Sequence, residues 1–408
     1  MLLGRLLKRM IKTGRLTVID AAGRAHVFGP AGSQPAVTLR LHDKSLHTKL
    51  YLRPQLYFGE AYTDGTLTIE DGTLSDFLDL WGANQEIAEP GWAGRVGLRL
   101  ALIARPLRQH NPIGLARKHV AHHYDLSNTL YDLFLDRDRQ YSCAYYISPD
   151  HTLEQAQEAK KRHLAAKLLL TPGCKVLDIG SGWGGLALDL ARIAGADVTG
   201  LTLSCEQHES SERQAQEAGL SDRVRFYLRD YREETGRYDR IVSVGMFEHV
   251  GVKHYGEFFG KLRELLADDG IALLHSIGRC DGPGTTNPWV RKYIFHGGYI
   301  PALSEVLPTV ERCGLFVTDI EILRLHYAET LKEWLRRFTA NRESIAKIYD
   351  ERFCRMWEFY LASSEMAFRH SSQMVFQMQL AKRLDTVPLT RDYIHEWEQA
   401  HAADPAAA

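Results

Sequence analysis

LDIGSGWGG, residues 177–185, decides the fold. The stretch KVLDIG (175–180) has the length and aliphatic content of a buried strand, and residues 186–194 carry the spacing of a helix. Between them Gly180, Gly182 and Gly185 fit G-x-G-x-x-G, with Gly184 in the same loop. The motif gains meaning only in this strand-to-helix context. There the glycines let the backbone turn sharply and approach a ligand seated on the helix N-terminus.

Reading outward, helix and strand alternate on both sides of the loop. A helix over EQAQEAKKRHLAAKLLL precedes Pro172-Gly173 and the first strand. Downstream come the strand ADVTGLTLS, the helix EQHESSERQAQEAG, and the strands VRFYLRD and YDRIVSVGM. The helix GEFFGKLRELLA and the strand GIALLHSIG follow. An irregular stretch is expected over 279–301, then the strand FVTDIEIL, two helices filling 328–370, and a last strand, MVFQMQLAK (374–382). Such alternation implies an α/β fold, a parallel sheet covered by helices on both faces.

The residues around the loop weigh two cofactors, a dinucleotide and S-adenosylmethionine. Asp178 stands two residues before the first glycine, where an acid suits the sulfonium and amino group of S-adenosylmethionine and repels a pyrophosphate. No acid ends the second strand, which further weakens a dinucleotide. Ribose contacts there fall to Thr202, Ser204 or Gln207. Asp230 ends the third strand, where it can accept adenine amino hydrogens, and the ring of Tyr231 can stack on the base.

The chain of 408 residues exceeds one ordinary domain. LTVID, AHVFG, AVTLRLH and TLTIE read as short strands, and GTLSDFLDLW (72–81) starts a helix with Thr73 as N-cap. Residues 1–90 thus form a small α+β N-terminal domain, for lipid binding or for holding a homodimer together. Residues 91–124 hold Arg95, Arg99, Arg105, Arg108, Arg117 and Lys118 with no acid from Gly91 on, a basic linker suited to an anionic membrane surface. The basic amphipathic helix over 1–16 would serve the same surface. Residues 125–400 form the catalytic domain.

A formal net charge of −1 gives no support to a nucleic-acid partner. Six scattered cysteines without a C-x-x-C pair fit reduced thiols. Glu248 and His249 together with His254 could suggest a metal site, but their spacing does not supply a ligand set, so no metal is expected. Arg5, Lys8, Arg9 and Lys12 interrupt any signal-peptide apolar region, and no apolar run approaches a membrane span. The expected location is cytoplasmic, peripheral on the inner face of the membrane.

Eight segments together carry a family likeness: HHYDLSN (122–128), YSCAYY (141–146), LDIGSGWGG (177–185), LTLSCEQ (201–207), RIVSVGMFEHVG (240–251), LLHSIG (273–278), PWVRKYIFHGGYIP (288–301) and HYAETLKEW (326–334). They resemble the cyclopropane-fatty-acyl-phospholipid synthases, a family that includes the mycolic acid cyclopropane synthases. GEAYTDGTLTIEDG (59–72) resembles the N-terminal domain of the two-domain members.

The resemblance implies a class I Rossmann-like methyltransferase fold with a seven-stranded sheet. It implies methylene transfer from S-adenosylmethionine to the cis double bond of an unsaturated acyl chain in phospholipid. The carbocation so formed loses a proton to a bound bicarbonate ion. By match to the family's motifs, that ion is held by Cys143 (backbone), Glu248, His275, Ile277 (backbone) and Tyr327. Tyr141 and Ser142 touch the cofactor by the same analogy. A cation favours aromatic faces, for which Tyr124, Tyr141, Tyr145, Tyr146 and Trp289 are candidates, with Tyr124, Tyr145 and Trp289 lining the substrate pocket.

Two departures stand out: Ser181 replaces a cysteine of several relatives, and Ser364 falls where some members carry another. The second removes a thiol nucleophile without touching the bicarbonate chemistry. Methylation without ring closure, giving a methyl- or methylene-branched chain, shares the same motifs and stays open. A small-molecule N-methyltransferase is a third reading, disfavoured by the Cys143, Glu248, His275 and Tyr327 set.

Overall fold

A computed structural model describes residues 2–85 and 128–401. These fall into two compact units. The basic linker expected over 91–124 lies outside the described residues, and so does Tyr124.

The first unit comprises 2–85, 285–296 and 328–373. Its sheet is ordered β2-β1-β3-β4, from β1 (Arg15–Ile19), β2 (Ala25–Phe28), β3 (Ala36–Leu41) and β4 (Leu67–Asp71). Leu16, Val18, Val37, Leu39 and Leu41 alternate inward and are buried, as two-residue periodicity requires. Thr73 caps the helix Leu74–Ala83 through a reciprocal pair with Asp76, as its place before the apolar run predicts. Two helices unmarked in the sequence reading, Leu46–Leu52 and Pro54–Thr63, fill the interval between β3 and β4. The helix Leu2–Met10 buries Leu3, Leu7 and Met10 within this unit and exposes Arg5, Lys8 and Arg9. Most of its apolar face is therefore spent on its own fold, and the basic residues are offered outward together with Leu2.

Three helices occupy the interval expected to hold two: His326–Ala340, Arg342–Ile348 and Glu351–His370. Asp350 caps the last by accepting from the Phe353 N–H at 2.7 Å. The stretch 279–301, expected to be irregular, contains the helix Pro288–Tyr293. Asn287 caps it and Pro288 starts it, where a missing N–H costs nothing. Three helices meet at Gly59, where a Cβ would lie 2.6 Å from both Phe359 Cε1 and Trp289 Cδ1. The unit is thus discontinuous in sequence, in contrast to the contiguous divisions at 90 and 124, because its helical core is completed by residues more than 200 positions on.

The second unit comprises 128–284, 297–327 and 374–401. Its seven strands are β5 (Lys175–Ile179), β6 (Asp197–Thr202), β7 (Val224–Leu228), β8 (Tyr238–Val244), β9 (Leu266–Arg279), β10 (Phe316–Ile322) and β11 (Gln373–Ala381). They run in the order β10-β11-β9-β8-β5-β6-β7. The pairs β5–β6, β5–β8, β6–β7 and β8–β9 are parallel, and β10–β11 is antiparallel. Phe247, Tyr255 and Phe258 belong to one buried cluster on the sheet, and Leu164, Leu186 and Leu190 to another. This is the Rossmann-like methyltransferase fold expected from the sequence. The order reverses between β5 and β8, which opens a ligand crevice at their carboxyl ends. No helix among the described residues is long and apolar enough to cross a membrane.

Candidate active site

The glycine loop leaves β5 and enters the helix Gly185–Ala194. Gly180 and Ser181 each donate their N–H to Leu201 O at 2.9 Å, which pins the loop to β6. A Cβ on Gly184 would lie 2.7 Å from Phe226 Cζ, so packing forbids a side chain there. Gly182 differs: its φ is +55°, yet a Cβ would meet nothing within 4 Å. The backbone is bare toward open space at that point.

Asp178 is 1% exposed, and its Oδ2 has no hydrogen-bond partner among the described residues. Burial raises its carboxyl to about 7, with Lys160 opposing the rise. Ser181 Oγ is likewise buried without a partner among the described residues. Unpaired buried polar atoms are costly. Together with the open Gly182 they fit a polar, cationic ligand such as S-adenosylmethionine.

The other residues expected to hold that ligand divide. Thr202 donates to Gln207 Oε1 at 2.9 Å and accepts from the Ser204 N–H at 3.2 Å. Ser204 caps the helix Cys205–Glu217. The three are thus bonded to one another at the end of β6. Asp230 accepts from Arg232 Nε at 2.8 Å and Nη2 at 2.7 Å. Its carboxylate is already neutralised, so an adenine amino group would have to share it. Tyr231, expected to stack on the base, is instead buried in the apolar core, edge-on to Phe258 at 5.5 Å.

The second group gathers at the carboxyl ends of β8 and β9. Glu248 sits in a 3-10 turn, Phe247–His249, just beyond β8. Its Oε1 accepts from the Ile277 N–H at 2.7 Å, and its Oε2 has no partner among the described residues. Burial raises this carboxyl to about 7. Ile277 was expected to hold an anion through its backbone; its N–H is given to Glu248. His275, on β9, is 2% exposed. Gln377 Nε2 donates to its Nδ1 at 3.2 Å. Burial also holds the imidazole well below its ordinary range. His275 is therefore neutral with its proton on Nε2, a donor for an anion. The glycine loop is adjacent, since a Cβ on Gly180 would lie 2.9 Å from Met246 Cβ, two residues before Glu248.

The segment 140–146 brings the third group. Tyr141 packs edge-on to Tyr131 at 5.5 Å, and Tyr131 lies 4.8 Å from Trp183 of the glycine loop. Ser142 and Cys143 are buried, and the Cys143 Sγ donates to Ala144 O at 3.3 Å, the behaviour of a packed thiol. The Tyr146 N–H donates to His326 Nδ1 at 3.0 Å, which docks the segment beside Tyr327. Tyr145 is stacked on His163 at 4.2 Å and on His326 at 4.9 Å, both nearly parallel to it. Its two faces are covered, so it cannot present one to a substrate cation as expected. Trp289, the other pocket candidate, is fully buried in the first unit against Phe359.

Sequence reasoning missed Gln377, Gln157 and Lys160. Gln377, a polar residue inside an otherwise apolar strand, carried a signal, whereas Gln157 and Lys160 lie in a helix rich in charged residues, where nothing sets them apart.

The family model for mycolic acid cyclopropane synthetase matches residues 114–378. A probable fatty acid methyltransferase of Pseudomonas putida is 36% identical over 345 residues, 83% of this chain and 85% of that protein. The cyclopropane-fatty-acyl-phospholipid synthase of Escherichia coli K12 is 40% identical over 263 residues, 64% of this chain and 67% of that one. The solved mycolic acid cyclopropane synthase CmaA1, complexed with SAH and CTAB, superposes with a TM-score of 0.62 at 31% identity, covering 67% of this chain and 99% of that one.

Proposed function

This chain belongs to the mycolic acid cyclopropane synthetase family, and from that premise we propose that it transfers a methylene group from S-adenosylmethionine to the cis double bond of an unsaturated acyl chain in membrane phospholipid, closing a cyclopropane ring. One observation carries the reading: Glu248 and His275 are both buried and each is fixed by its own partner at the adjoining strands β8 and β9, with Met246, two residues before Glu248, against the glycine loop.

The cofactor, when bound, supplies an electrophilic methyl group. Asp178, Ser181 and the loop from Gly180 to Gly185 would hold it, with Tyr141 and Ser142 against it. A bicarbonate ion supplies the base for ring closure and would rest on His275 Nε2–H, the Tyr327 hydroxyl and the Cys143 backbone. An ionised Glu248 only accepts, so beside an anion it must share a proton. Its carboxyl near 7 suits that role, because a group is best at proton sharing when its pKa lies near the working pH. Burial of the whole set keeps water from quenching a carbocation.

The substrate and location follow the same reading. The protein works at the inner face of the membrane, where the exposed Arg5, Lys8 and Arg9 meet anionic headgroups. The Pseudomonas relative's name favours a second reading, a methyl- or methylene-branched product from the same site.

Purified protein is incubated with S-adenosylmethionine and vesicles of mono-unsaturated phospholipid, and the fatty-acid methyl esters are analysed by mass spectrometry after double-bond derivatisation. A product heavier by one CH2 and inert to derivatisation is expected. A product heavier by one CH2 that still reacts as an alkene, or an inert one heavier by CH2 and two further hydrogens, selects the second reading. Turnover on an amine with none on lipid overturns both.

A further inference from the structure

One face of the helix Leu153–Lys167 carries Gln157, Lys160 and His163 at three-residue spacing, and all three reach the segment 140–145. The Gln157 amide donates to Gln140 O at 3.2 Å and to Ser142 O at 3.0 Å. Lys160 Nζ donates to Gln140 Oε1 at 2.7 Å and to Ser142 Oγ at 2.9 Å. The imidazole of His163 stacks on Tyr145, and the Tyr145 N–H donates to Ala156 O at 3.0 Å. The segment starts from Arg139, whose φ of +50° is rare for a side chain of that size. It also lies against the glycine loop, since a Cβ on Gly185 would fall 2.7 Å from Gln140 Nε2.

Resting on the reading above, in which Ser142 meets the cofactor and the Cys143 backbone meets an anion, we infer that Gln157, Lys160 and His163 are positioning residues that fix the segment 140–145 for both ligands.

Lys160 is the telling member. It is completely buried, and both groups it touches are neutral, with no carboxylate within ion-pair distance among the described residues. Burial holds the ammonium down to about 7, against the pull of the Asp136 carboxylate, and its charge also acts on Asp178 without a direct bond to either. A buried cation paired with neutral oxygens is a liability for folding, whereas two short bonds aimed at neighbouring side chains of one segment have a clear use in placing it. His163, by contrast, is flanked by Glu321 and Glu398 at 2.7 Å each, which raise its pKa against the opposing effect of burial and hold both ring nitrogens while the ring stacks on Tyr145.

Lys160→Met keeps the unbranched apolar stem and removes the ammonium with both bonds; Gln157→Met does the same for the two carbonyls. Three measurements are made on each full-length variant: amide hydrogen exchange, thermal midpoint, and affinity for S-adenosylhomocysteine by calorimetry. Exchange should rise in 140–146 alone, affinity should fall roughly tenfold, the cost of misplacing one charge-assisted contact, and the midpoint of Lys160→Met should equal or exceed that of the parent. Unchanged exchange over 140–146 would overturn the inference. Loss of thermal stability with exchange raised throughout, in both variants, would also overturn it, by making these residues determinants of folding. If the parent itself fails to bind S-adenosylhomocysteine, the functional reading falls, while the exchange result still reports on the clamp.

Discussion

Glu248→Gln should yield a protein that is nearly inactive on lipid yet more stable above neutral pH. The substitution preserves shape, and the amide oxygen can still accept from the Ile277 N–H now 2.7 Å from Oε1. What it removes is charge. Burial raises this carboxyl from 4.5 to about 7, so between those values the folded chain retains a proton that the unfolded chain has released. The group's contribution to stability is therefore greatest below pH 4.5 and declines as pH rises through 7. At about 1.36 kcal/mol for each pKa unit, the ionised carboxylate costs the folded chain roughly 3 kcal/mol by pH 8. A buried NH2 in place of the partnerless Oε2 costs about 1–2 kcal/mol, but it does so at every pH. The pH dependence therefore isolates the charge. In urea titrations the unfolding free energy of the variant minus that of the parent should grow by roughly 2–3 kcal/mol between pH 5 and pH 8. Turnover should drop by about a hundredfold or more, with affinity for S-adenosylhomocysteine unchanged. A difference that stays flat across pH would refute the buried-charge argument, and affinity falling in step with turnover would move Glu248 into the cofactor cleft.

Gln377→Leu removes the donor that holds His275 Nδ1 as an acceptor; under the proposed function kcat should fall about tenfold to a hundredfold, as for other partners that orient an imidazole, while affinity for S-adenosylhomocysteine holds. Replacing the exposed Arg5, Lys8 and Arg9 by Ala should weaken sedimentation with anionic vesicles by about 1 kcal/mol per charge, and added salt should weaken the parent in the same way.

The central sheet was legible because its signals are local. Strand runs, helical spacing and a glycine loop in the right context lie within a few residues of one another, and Thr73 with Asp76 is a cap written in four positions. What escaped was contact across distance. Gln377 reaches His275 over 102 residues, and nothing near either residue announces the other. A glutamine in a strand buried along nearly its whole length was the one clue, since such an amide must find a partner. Asp230 illustrates a subtler loss: Arg232 stands two residues away in plain view, yet only the folded turn shows its guanidinium closing on both carboxylate oxygens. Tyr145 looked like a free aromatic face because the two rings that cover it come from His163 and His326, far apart in the chain.

The discontinuity of the first unit has a practical consequence for anyone dissecting this protein. Deleting residues up to 90 looks, on paper, like discarding an accessory module. In the folded chain it would strip Gly59 from beneath Trp289 and Phe359, and Tyr62 from Glu358, to which its hydroxyl now donates at 3.0 Å. The remainder would expose an indole, a phenyl ring and a half-buried carboxyl at once, a surface that invites aggregation. The inactivity of such a truncated protein would then report insolubility, not a role in catalysis. Point substitutions on outward-facing side chains are the sounder scalpel.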